Sequence, residues 1–120
     1  MNQRSRAGDR LYEFKKNIRK VLKKMNATRD EYPSMRIRKA RQELASLLNK
    51  PANNVMPNVQ YGTLLKKLQE TVRILNEEMN ISGLKSIERA YQQAKDVLIH
   101  FSRTSNSINK KQQYGDHKND

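Results

Sequence analysis

Residues 61–101, YGTLLKKLQETVRILNEEMNISGLKSIERAYQQAKDVLIHF, decide the fold. Tyr61, Leu65, Leu68, Val72, Leu75 and Met79 recur at alternating steps of four and three. After NISG at 80–83 the alternation resumes with Leu84, Ile87, Tyr91, Ala94, Leu98 and Phe101. Such spacing keeps apolar side chains on one side of a 3.6-residue turn, so each half reads as an amphipathic helix. Two such helices joined by about four residues form an antiparallel helical hairpin. A hairpin alone has little surface to bury, so Leu65, Leu68, Val72, Leu75, Leu84, Ile87, Tyr91 and Leu98 are expected to line a seam. That seam is either closed by the rest of the chain as core or shared with a second copy, a possible homodimer through 61–101.

Upstream of the hairpin, Leu11, Phe14, Ile18, Val21 and Met25 repeat the same habit and predict a helix over 9–26. Asp9 would cap its start, because a short carboxylate accepts from the free amides of a first turn. Thr28 with Glu31 three residues on is a reciprocal capping pattern, but Pro33 is tolerable only within a first turn. The second helix is therefore expected over 33–49, burying Ile37, Ala40, Leu44, Leu47 and Leu48. Residues 50–60, KPANNVMPNVQ, hold two prolines and read as a connector, with one short turn after Pro51 allowed. Residues 1–8 and the polar, aperiodic 102–120 are expected to be disordered ends. Alternating β-branched runs are absent from the sequence. The fold class is thus all-α, a single small bundle of about four helices over 9–101.

The charge is unevenly placed. Of a formal net charge of +13, residues 1–50 carry fifteen Lys/Arg against five Asp/Glu, whereas 51–101 carry six against five. Solubility alone requires no such segregation, and a basic half suggests a surface for a polyanion. With Leu11 at the first position of a heptad, Lys16, Lys20 and Lys23 fall on or beside the ridge opposite the seam, flanked by Lys15, Arg19 and Lys24. The second helix adds Arg36, Arg38, Lys39 and Arg41, spread around much of its circumference. These ten residues are the candidate nucleic-acid contacts. Phe14, Tyr61, Tyr91 and Phe101 are committed to seams, leaving few stacking platforms for single strands. The expectation is a duplex held through its phosphates, RNA slightly favoured over DNA because A-form helices are recognised by shape.

Two other readings fit the same residues. A basic helical half could bind an acidic protein partner, making the chain an interaction regulator or adaptor. QELASLLNKPANNV (42–55) can be laid on a helix-turn-helix, but Lys50 falls where an aliphatic residue is usual and Pro57 interrupts the would-be recognition helix. Catalysis finds no constellation: His100 and His117 stand apart, the four glycines are isolated, and there is no cysteine. No cofactor and no metal are expected. No apolar run approaches the roughly 20 residues that span a bilayer, and the first residues lack an apolar signal core. An intracellular protein without membrane attachment is the resulting expectation, and the lack of cysteine is compatible with a reducing compartment.

Overall fold

The computed structural model describes residues 3–49 and 56–117, with side chains described for 8–49 and 56–102. Four helices follow one another: α1 (Gln3–Ala27), α2 (Met35–Asn49), α3 (Pro57–Ser82) and α4 (Lys85–His117). They form an all-α bundle in which each helix packs on its chain neighbours and α4 closes back on α1. Helices α2 and α4 occupy opposite corners, while α1 and α3 meet across the centre.

The seams explain this closure. Leu11, Phe14, Ile18, Val21 and Met25 of α1 are all buried, as are Ile37, Ala40, Leu44 and Leu48 of α2, with Leu47 half-buried. At one end of the bundle Phe14 stacks on Phe101 and tilts against Tyr61, each pair of ring centroids 4.7 Å apart. The Tyr61 hydroxyl donates to the Phe101 carbonyl at 3.1 Å, so its polar tip is satisfied inside the cluster. α1, α3 and α4 are thereby pinned together at three rings.

In the hairpin Tyr61, Leu68, Leu75, Ile87, Ala94 and Phe101 of the expected series are buried in the inner row, while the residues expected between them lie one position off it. The innermost residues of α3 are Tyr61, Leu64, Leu68, Thr71, Leu75 and Glu78, and those of α4 are Ile87, Ala90, Ala94, Val97 and Phe101. Leu65, Val72 and Met79, with Leu84, Tyr91 and Leu98, are half-buried flanking rows. The cause is a wide buried arc, because α3 packs on α1, α2 and α4 at once. Thr71 tolerates its inner place by donating to the Lys67 carbonyl at 2.8 Å.

Boundaries depart from the sequence expectations in four places. α1 begins at Gln3, so Asp9 is an exposed residue inside the helix and caps nothing; no proline precedes it to stop the first turns. Thr28 donates back to the Met25 carbonyl at 2.8 Å, and Glu31 accepts from Ser86, so the capping pattern of Thr28 and Glu31 is not used, in keeping with a second helix that starts near Pro33. Ser34 starts α2 instead, its Oγ accepting from the Ile37 amide at 3.2 Å. Pro57 opens α3 as its first residue, where a missing N–H costs nothing. α4 is described as far as His117, beyond the end at Phe101 that the apolar period gave. The proposed turn after Pro51 falls outside the described residues. Between α3 and α4, Gly83 adopts φ 66°, and its amide closes on the Met79 carbonyl at 2.8 Å, a left-handed stop that a side chain would strain.

Candidate nucleic-acid interface

The two sides of α2 differ in charge chemistry. Toward α3, Arg36 Nη1 donates to Glu78 Oε2 at 3.1 Å and Arg36 Nη2 donates to Glu77. Arg73 Nη1 reaches the same Glu77 at 3.0 Å. Farther along the same contact Lys67 donates to Glu43 of α2 and, at 3.0 Å, to Glu70 of its own helix. These bonds hold α2 and α3 antiparallel, with Arg36 opposite the end of α3 and Glu43 opposite its middle. They also shift the groups involved: bonding to Arg36 holds the Glu77 carboxyl below its ordinary value, and bonding to Lys67 does the same for Glu43. The acidic partners raise Lys67 in turn. Charge on this side is internally consumed.

Toward α1 the opposite holds. Arg10, Glu13 and Asn17 of α1 share a cleft with His100 and Phe101, which fixes that row of α1 on the α4 side. By helical register Lys15 and Arg19 then lie on the α2 side, with Lys16 and Lys23 on the outer ridge between. From α2, Arg38 and Arg41 line a cleft with Met25, Thr28 and Arg29. Six of the ten expected contacts, Lys15, Lys16, Arg19, Lys23, Arg38 and Arg41, therefore belong to one face. None of the six makes an ion pair with another described residue. Arg29, which sequence reasoning did not single out, joins them because the α1–α2 turn swings it onto the same side. Its chain neighbour Asp30 lies 4.0 Å away, with a side chain 97% exposed.

The other four candidates fall elsewhere. Lys20 and Lys24 are exposed on the α4 side of α1. Arg36 is spent on Glu77 and Glu78, and Lys39 is exposed beside Glu43 on the α3 side. Of the four carboxylates in 11–48, Glu13 lines the α4 cleft, Glu31 accepts from Ser86 and Glu43 holds Lys67, so Asp30, beside Arg29, is the one at the shared face. The basic half of the sequence thus becomes a basic face about 20 Å long, comparable to roughly six base-pair steps. Tyr12, 61% exposed, lies on the α2 side of α1 beside Arg19's row.

Among the described residues no group of three His, Cys, Asp or Glu has the arrangement to hold a metal ion. None of the described helices is long and apolar enough to cross a membrane. No protein-family model, curated protein or solved structure matches this chain.

Proposed function

We propose that this protein is a non-catalytic nucleic-acid binder that grips a duplex, RNA in preference to DNA, through phosphate contacts from the α1–α2 face. The observation that carries the reading is the concentration there of six cations without counter-ions among the described residues, next to an α2–α3 face where every Glu is matched by a Lys or Arg. Unpaired guanidinium and ammonium groups on a rigid helical face repel one another, and a polyanion relieves that repulsion while releasing its own counterions. Most of the aromatic residues favour a duplex over a single strand, since Phe14, Tyr61 and Phe101 are packed against one another in the core and leave Tyr12 as the exposed ring beside the face. α3 is a 26-residue helix held along α2 by ion pairs, which does not favour the helix-turn-helix alternative.

A fluorescence-anisotropy titration with matched duplex RNA, duplex DNA, single strands and heparin tests the proposal. Preference for duplex RNA over heparin supports it. Equal weak binding to all four overturns it and redirects attention to an acidic protein partner.

Self-association through 61–101 is a second element of the proposal. The half-buried rows Leu65, Val72 and Met79 and Leu84, Tyr91 and Leu98 flank the same α3–α4 groove, and the adjoining row Gly62, Gln69 and Asn76 is uncharged. Sedimentation of the wild type and of Val72→Lys tests it, a dimer lost in the variant being the expected result.

A further inference from the structure

The cleft at the α1–α2 turn has a volume of about 190 Å³ and closes one end of the basic face. Arg29, Arg38 and Arg41 line it, and among the described residues no carboxylate does. Its floor is apolar, built from buried Met25 and Ile37. Arg41 is half-buried there without a hydrogen bond or ion pair from its side chain to another described residue. A partly desolvated guanidinium beside two others is costly unless an anion reaches it.

Asp30 is the one carboxylate beside the cleft, 4.0 Å from Arg29 and with its side chain 97% exposed to solvent, and the others nearby are committed elsewhere. Glu78 accepts from the Tyr32 hydroxyl at 2.9 Å and from Arg36, Glu77 is held by Arg36 and Arg73, and Glu31 accepts from Ser86. The Tyr32–Glu78 bond also fixes the turn residues Tyr32, Pro33 and Ser34 as the wall that ends the cleft. The wall stands at the turn end of the α1–α2 face.

We propose that the cleft seats a phosphate monoester at the end of the bound strand, an inference that rests on reading the α1–α2 face as a nucleic-acid surface. A monoester carries about −1.5 to −2 charges at neutral pH and three accepting oxygens, against one charge for an internal phosphodiester. Three guanidiniums match the monoester in charge and in donor geometry, because each can present paired N–H groups to phosphate oxygens. The apolar floor lowers the local dielectric and strengthens those bonds.

The test uses the full chain and one RNA duplex prepared with 5′-phosphate, 3′-phosphate or hydroxyl ends. One phosphorylated form is expected to bind about tenfold tighter than the hydroxyl form, and which form it is names the end recognised. That ratio should fall to about one in Arg29→Gln and in Arg41→Gln, whatever happens to overall affinity. In a folded Lys16→Glu/Arg19→Glu/Lys23→Glu variant, affinity for every form should fall. Equal affinity of the wild type for all three ends overturns the end-phosphate proposal; if the Glu variant nevertheless loses binding, the duplex reading stands. A ratio that survives both Gln variants also overturns it. Failure of every form to bind the wild type overturns the underlying reading as well.

Discussion

The Tyr32 hydroxyl donates to Glu78 Oε1 at 2.9 Å, tying the turn after α1 to the end of α3 across 46 positions of sequence. Glu78 is 6% exposed and also takes Arg36, so one carboxylate joins a turn, the start of α2 and the last turns of α3. Burial of a charge is tolerable there because each oxygen has a donor.

Removing that carboxylate leaves its donors unsatisfied. Glu78→Ala should cost about 1–3 kcal/mol of stability, and Tyr32→Phe should cost less because Arg36 still compensates the charge. Thermal melts followed by circular dichroism give the order directly.

Arg36 and Arg38 stand two residues apart yet should behave differently. Arg36→Gln should lower the melting temperature with little effect on duplex affinity, since its guanidinium is occupied by Glu77 and Glu78. Arg38→Gln should weaken binding and leave the melting temperature nearly unchanged, as an exposed residue without a described partner. Paired melts and anisotropy titrations separate the two outcomes.

Stability should fall at both pH extremes. Glu77 and Glu43 titrate below their ordinary 4.5 in the folded chain, so the unfolded chain binds protons more readily there. Their contribution is present above 4.5 and is lost as pH falls through the lower folded values. Tyr61 is raised above 10.0 by burial and Lys67 above 10.5 by its bonds to Glu43 and Glu70, so their contributions are lost as pH rises through those raised values. Melting temperatures across pH should therefore form a plateau between these limits, and a rise in stability on acidification below 4.5 would contradict the ion-pair geometry.

Leu68 and Leu65 separate the inner row of α3 from its flank. Leu68→Ala should cost about 2–5 kcal/mol by opening a cavity in a fully buried site. Leu65→Ala should cost less, because that side chain is only half-buried. Urea unfolding of the two variants checks the order.

The all-α class, the hairpin and the seams of α1 and α2 were legible because their apolar spacing is unbroken. In α3 Tyr61, Leu68 and Leu75 were legible too, but Leu64, Thr71 and Glu78 were not, since Leu65, Val72 and Met79 offer a cleaner apolar series one position away. Only the long-range bonds to Tyr32 and Arg36 make Glu78 an inner residue, and no local pattern announces them. Ten cations could be named from charge alone, but their division among three faces depends on which helix lies beside which. Arg29 escaped notice because it sits past the periodic segment, in a turn whose path tertiary packing sets. The start of α1 was misplaced because Asp9 resembles a cap, a preference that the chain has no need to use when nothing upstream breaks the helix.

The central claim is that the α1–α2 face holds phosphates, and the most direct measurement is the salt dependence of affinity for an RNA duplex. With about six contacts, binding should weaken roughly a thousandfold between 50 and 200 mM salt. In Lys16→Glu/Arg19→Glu/Lys23→Glu, shown to be folded by its melting curve, the log–log slope should shrink by about three and affinity should collapse. A folded variant that keeps both the slope and the affinity of the wild type would contradict the account.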